Sequence, residues 1–122
     1  MRLNQAMLYV KDINRMADFY GKIVGLKATD ETRLENWVEF EAGAIKFALH
    51  AIPSEIADRI KISSPPRPRE ENPVKLTFEV DDVSSECRRL ESLGVPVVQR
   101  PWGGYDGIDP EGNVFGICAR RL

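Results

Sequence analysis

The chain has one histidine, two cysteines and no large surplus of either charge in its 122 residues. Each shortage narrows the choice of function. Its 17 basic side chains stand against 19 acidic ones, a formal net charge of -2. No basic face is available to neutralise phosphates, so nucleic acid is not an expected partner. Cys87 and Cys118 lack CxxC spacing and read as two buried or half-buried thiols, with a disulfide as the other reading. No apolar run is long enough to cross a membrane. Residues 1–5 carry no apolar signal-peptide core, so a cytoplasmic location is expected. What is present, 43% apolar and 30% charged residues, is ordinary for a soluble globular protein. The length suits one domain, or two half-size modules sharing a core.

Hydrophobic periodicity places the elements. Residues 3–10 alternate as a strand, with Gln5, Met7 and Tyr9 on one face and Ala6, Leu8 and Val10 on the other. Asp12 is a candidate N-cap. Ile13, Met16, Ala17, Tyr20, Ile23 and Val24 recur at helical spacing, and Gly25 is a suitable stop. Strands are predicted over 26–30, 37–41 and 44–50, the last with Lys46, Ala48 and His50 on one face. A short helix is expected to open at Pro53-Ser54-Glu55 and run to about residue 60. Residues 61–73 hold four prolines and five charged residues, the composition of a surface connector, because proline has no N–H for a strand ladder.

The pattern then starts again. Residues 75–80 read as a strand, Asp82 as an N-cap, and Val83, Cys87, Leu90 and Leu93 as a helix stripe ended by Gly94. Further strands are predicted over 95–99, 105–108 and 114–119. Between the last two lies Asp109-Pro110-Glu111-Gly112-Asn113, a turn sequence in which Pro110 fixes a backbone angle while Gly112 and Asn113 tolerate positive φ. An offset of 70 residues pairs Leu8 with Phe78, Val10 with Val80, Asp12 with Asp82 and Ile13 with Val83. A cap, its flanking strands and the helix length all align together, which points to an internal duplication. The expected fold class is α+β, with two βαβββ modules. The N-terminal module spans about 1–60, the connector 61–73 and the C-terminal module 74–122, all within one domain of residues 1–122. Two such sheets side by side can enclose a pocket, with the helices on the outside.

These residues resemble the glyoxalase, bleomycin-resistance and extradiol-dioxygenase superfamily, the vicinal oxygen chelate proteins. The likeness rests on residues 8–12 with Phe19-Tyr20 and Gly25-Leu26, on residues 78–83 with Leu90 and Gly94-Val95, and on the line from Asp109 to Ile117. It implies paired βαβββ modules, and homodimers among short members. It also implies four metal positions: a His or Gln on the first strand, matching Gln5; a Glu at Ala48; a His at Lys75; and a Glu at Gly116. Ala48 and Gly116 bring no side-chain donor and Lys75 brings a cation, whereas zinc takes three or four N, O or S ligands. A conventional metal centre is therefore not favoured. Gln5 and His50 are the ligands to consider if a divalent ion is held, although His50 lies about 6–7 Å beyond Ala48 along its strand.

The candidate ligand-binding residues are Gln5, Tyr9, Trp37, His50, Lys75, Trp102 and Tyr105. His50 has two readings, a base titrating near neutral pH or a structural side chain. Glu39 and Glu79 are the candidate proton-transfer partners. Lys75 is a candidate anion contact or an internal partner of Glu79 or Glu39, because a buried ammonium needs a counter-charge. Trp102 and Tyr105 could stack on a planar ligand, with Arg100 beside them for an anion, or simply pack. The expected function is small-molecule binding, without nucleic acid or membrane partners, in a homodimer. The alternative is a divergent metal-dependent lyase or isomerase, so the sequence leaves catalysis open.

Overall fold

A computed structural model of the chain describes residues 1–120. It divides into two compact units, Met1–Lys61 and Ile62–Leu122. In the first, β1 (Gln5–Val10) leads to α1 (Ile13–Asp18), β2 (Lys27–Ala28), β3 (Trp37–Ala42), β4 (Ile45–Ala51) and the short α2 (Ser54–Ala57). The sheet order is β1-β4-β3-β2, with β1 parallel to β4 and the other pairs antiparallel. In the second unit, β5 (Leu76–Val80), α3 (Val83–Ser92), β6 (Val97–Gln99), β7 (Tyr105–Ile108) and β8 (Val114–Ala119) repeat the plan. Their order, β5-β8-β7-β6, is equivalent, with β5 parallel to β8 at one end of the sheet and the other pairs antiparallel. Each unit is thus a βαβββ module, as the repeated sequence pattern requires.

The matching caps explain why both helices start where they do. Asp12 accepts from the Arg15 backbone N–H at 3.1 Å, and Asp82 from that of Ser85 at 2.9 Å. Both helices are followed by glycines in the left-handed region, Gly25 at φ 94° and Gly94 at φ 85°, where an ordinary side chain is strained. After α1 the chain widens into a π-helical turn over Phe19–Ile23, with the Val24 N–H reaching the Phe19 carbonyl. The consecutive aromatics Phe19 and Tyr20 are both buried there.

In the first unit the helix-side face of the sheet is its core. Val10, Val38, Phe40, Phe47 and Leu49 meet Met16, Phe19 and Tyr20. Tyr20 stands edge-on to Phe47 at 4.9 Å between ring centroids. Burying each such ring contributes about 2 kcal/mol. In the second unit Phe115, Ile117, Cys87, Leu90 and Val95 do the same work.

Four expectations about the elements need correction. The helix expected to run to about residue 60 is only Ser54–Ala57. The strand predicted over 26–30 is only Lys27–Ala28; a 3₁₀ turn over Asp30–Thr32 replaces its end, closed by the Arg33 N–H on the Asp30 carbonyl. The strand predicted over 95–99 begins at Val97, because Val95 still donates back to Leu90 and Pro96 has no N–H to offer. Leu93, expected on the apolar stripe, is half exposed, since α3 ends at Ser92 and Leu93 is its C-cap. No helix among the described residues is long and apolar enough to cross a membrane.

Candidate functional site

Strand alternation sends one set of side chains to the sheet face away from the helix. In the first unit the register arranges that face as three rows. Gln5, Lys46 and Glu41 form the first, Met7, Ala48 and Glu39 the second, and Tyr9, His50 and Trp37 the third. Lys46 and Glu41 pair by charge within their row. The middle row has its smallest member at the centre, and the Gln5 side-chain amide crosses that place to donate to a Glu39 carboxylate oxygen at 3.1 Å.

The third row is aromatic. The His50 ring lies 5.6 Å from Tyr9 and 5.8 Å from Trp37, tilted against the first and edge-on to the second. Trp37 and His50 also line a cleft of about 430 Å³ with Glu31, Leu34 and Asn36. That volume lies within the usual range for small-ligand sites. Gln5 and His50 stand two rows apart, about 13 Å along the strand direction. Each is engaged with other neighbours, so the register does not bring the two together. Glu39 and His50 are one row apart on adjacent strands.

The second unit repeats the scheme in charged form. Its equivalent row is Thr77, Gly116, Asp106 and Val98. Lys75, two residues before Thr77 as Gln5 is before Met7, reaches Asp106 Oδ1 with Nζ at 2.7 Å. Asp106 is only 3% exposed. Its other oxygen accepts from Arg100 Nε at 2.6 Å, and an Arg100 terminal nitrogen meets Glu70 at 2.5 Å. The Asp106 and Glu70 carboxylates hold the Arg100 guanidinium even more firmly protonated than usual. Lys75 therefore pairs with Asp106, not with the Glu79 or Glu39 expected from sequence. Glu79 stands beside Cys118 instead.

Around this cluster lies a cleft of about 350 Å³, lined by Arg69, Glu70, Lys75, Arg100, Trp102 and Asp106 among others. Trp102 is presented by a tight turn closed by the Arg100 N–H on the Gly104 carbonyl. Its indole lies over Gly104, where a Cβ would come within 2.9 Å of Nε1. The Lys75 ammonium sits 5.9 Å from the indole centroid. Tyr105 projects to the other face of the sheet, in register with Ile117 rather than with Gly116.

The connector supplies one wall of this cleft. Arg69 N–H donates to the Gly112 carbonyl at 2.8 Å, and the Asn72 amide reaches Asn113. The receiving turn is itself rigid. The buried Asp109 carboxylate accepts from the backbone N–H groups of Glu111 and Asn113 and from the Asn113 amide. The Asp-Pro-Glu-Gly-Asn sequence thus builds an anchor for residues 69–72.

The four places where the family resemblance implies metal ligands carry Gln5, Ala48, Lys75 and Gly116. They do not compose that ligand set. Gln5 is held by Glu39, Lys75 by Asp106, and the other two have no donor. A Cβ on Gly116 would approach Thr77 Oγ1 to 2.6 Å, so a glutamate there would need Thr77 to move. Among the described residues no three His, Cys, Asp or Glu side chains gather in a way that could hold a metal ion.

Sequence reading missed Asp106 and Glu70. The signal for Asp106 was an acid two residues from Ile108 in a strand whose alternate positions face the same way. Glu70 sat in a stretch that composition marks only as a connector.

A duplicated βαβββ chain with clefts on its helix-free sheet faces defines a class of small-molecule-binding folds. This chain belongs to the Glyoxalase/Bleomycin resistance protein/Dioxygenase superfamily, whose sequence profile matches residues 2–117. It is similar to lactoylglutathione lyase from Agrobacterium tumefaciens, with 25% identity, a TM-score of 0.66 and coverage of 95% of this chain and 91% of that one. A glyoxalase/dioxygenase from Nostoc punctiforme superposes with a TM-score of 0.72 at 19% identity, covering 98% and 92%. The bleomycin resistance determinant encoded on the transposon Tn5 does so with a TM-score of 0.64 at 18% identity over the whole of both chains. The last two likenesses show the fold alone. No match was found among curated proteins.

Proposed function

We propose that this chain is a small-molecule binding protein of the glyoxalase and bleomycin-resistance type that holds its ligand without the conventional four-position metal centre. One observation carries the reading. In both modules the central ligand position is a small residue, Ala48 or Gly116, and a donor–carboxylate pair spans it, Gln5 with Glu39 and Lys75 with Asp106. Groups that a metal would need are committed to each other. The candidate binding surfaces are the aromatic row of Tyr9, His50 and Trp37 and the polar cleft of Lys75, Arg100 and Trp102.

The resemblance to short homodimeric members supports a homodimer. Cys87 and Cys118 are both free thiols, which fits a reducing, cytoplasmic setting. The test is metal content after loading with divalent zinc, nickel or manganese and removal of free ion. Less than a tenth of an equivalent retained is the expected result. Retention of one equivalent per chain, lost in the Gln5→Ala, His50→Ala double variant, would overturn the reading in favour of a metal-dependent lyase or isomerase.

A further inference from the structure

We propose that the cleft of the second unit is a site for a planar monocarboxylate, and that Glu70 closes it in the free protein by occupying Arg100 in the ligand's stead. This deepens the binding reading and rests on it. The charge arrangement carries the argument. One buried acid, Asp106, faces two cations, Lys75 at 2.7 Å and Arg100 at 2.6 Å. It neutralises one of them. The remaining positive charge is answered by Glu70, whose side chain is 55% exposed.

The two carboxylates on Arg100 differ in kind. Asp106 lies beneath the guanidinium at Nε, is almost wholly buried, and fixes the orientation of the group. Glu70 takes the outer edge from the solvent side. An ion pair with an exposed member contributes little free energy and exchanges readily. The same outer edge of a planar guanidinium suits any carboxylate that arrives from solution.

The rest of the cleft supplies a place for a flat apolar body. Trp102 is 73% exposed and Val74 is 68% exposed, and both line the cleft. An exposed indole lying over Gly104, beside a lysine and an arginine that share one buried acid, presents one face for stacking and one unneutralised positive charge for a carboxylate. Glu70 is positioned by its own anchor, the Arg69 N–H on Gly112, so its carboxylate is a tethered competitor.

The test is a ¹H–¹⁵N NMR titration with benzoate and with neutral benzamide at constant ionic strength. It follows the indole N–H signals of Trp102 and Trp37, assigned from Trp102→Phe and Trp37→Phe variants. Benzoate is expected to shift Trp102 at a concentration at least tenfold lower than benzamide. Glu70→Ala should tighten benzoate at least fivefold and leave benzamide unchanged. Arg100→Gln should abolish the preference; if that variant fails to fold, the Glu70→Ala comparison decides alone, because Glu70 is exposed.

Equal response of Trp102 to both compounds would keep ligand binding and overturn the anion site. Benzoate shifts at Trp37 without Trp102 would place binding in the first unit and overturn it as well. No shift at either indole, in wild type and Glu70→Ala alike, would overturn the carboxylate site, while the binding reading beneath it stands or falls by the metal-content test.

Discussion

The two modules solve one geometric problem with different chemistry. Each has a small residue at the centre of its open sheet face and a longer side chain at, or just before, the start of its first strand. In the first module that side chain is the neutral Gln5 amide, and its half-buried partner Glu39 needs only one hydrogen bond there. In the second it is Lys75, and the partner Asp106 is only 3% exposed, so a second cation, Arg100, also pairs with it. The depth of the acid decides the difference. A carboxylate near water keeps its solvation, whereas a buried one must be paired and hydrogen-bonded to stay charged.

The sharpest break of that comparison is to remove each acid in turn. Asp106→Ala leaves Lys75 and Arg100 facing each other over a void, and should cost about 3 kcal/mol of unfolding free energy, the scale for breaking a buried pair. Glu39→Ala removes one part-buried hydrogen bond and should cost about 1 kcal/mol. Urea unfolding of both variants measures the two losses side by side. Equal losses would mean that burial of Asp106 is not what sets the modules apart.

A second test exchanges the small residues. Gly116→Ala drives a methyl group against Thr77 and should cost about 2 kcal/mol by overpacking, most of it recovered in the Gly116→Ala, Thr77→Ala double variant because the two sites share one space. Ala48→Gly, the reverse change in the first module, should cost about 1–2 kcal/mol through added backbone freedom and the loss of a fully buried methyl group. Failure of the Thr77 change to rescue Gly116→Ala would show that the glycine is required for some other reason.

These contrasts also show where sequence reading succeeds. The helices, the duplication and the strands at 105–108 and 114–119 were legible because caps, glycine stops and alternation are local signals. The central rows were legible in part. Gln5, Lys75, Ala48 and Gly116 could be matched by the 70-residue offset and by resemblance. Their partners could not, because Glu39 and Asp106 are set by cross-strand register, a non-local quantity. Tyr105 illustrates the cost. Proximity in the chain groups it with Trp102, yet a shift of one residue in a strand reverses the face, and it is Asp106 that faces Gly116. The connector reads as a linker because prolines and charges dominate it. Its attachment to the turn at 112–113 depends on backbone groups that composition does not reveal.

The helix caps provide a smaller and more symmetric comparison. Asp12→Ala should cost about 1 kcal/mol, the usual scale for losing a capping side chain, and Asp82→Ala should lower the unfolding midpoint of the second module similarly. The Ser85 backbone N–H holds the Asp82 carboxyl below the ordinary aspartate value of 3.8. Because the folded pKa is the lower one, the contribution of this cap is fully present above pH 3.8 and is lost as pH falls through the depressed value. The midpoint difference between wild type and Asp82→Ala should therefore be constant from pH 7 to pH 5 and shrink in stronger acid. A difference that grew in acid would assign the effect to something other than the cap.

The last contrast concerns Cys87, whose counterpart in the first module, at the 70-residue offset, is Ala17. Burial pushes the Cys87 thiol above its ordinary value of 9.0, and the carboxylates of Glu91 and Glu86 add to the rise. A thiol in that state is a poor nucleophile, because thiolate is the reactive form. Cys118 is half-buried on the open sheet face. An aromatic disulfide reagent at pH 8 should consequently modify Cys118 at least tenfold faster than Cys87 in the native protein, and both at similar rates in urea. The raised pKa also carries a sign for stability. The neutral thiol is favoured in the fold, so its contribution is intact below pH 9.0 and declines as pH rises through the raised value. Cys87→Ala should remove that alkaline decline and cost about 1 kcal/mol at neutral pH for the lost sulfur packing. Rapid native labelling of Cys87, located by mass mapping of the labelled peptides, would show that α3 opens from its sheet often enough to expose the thiol and that burial does not protect it.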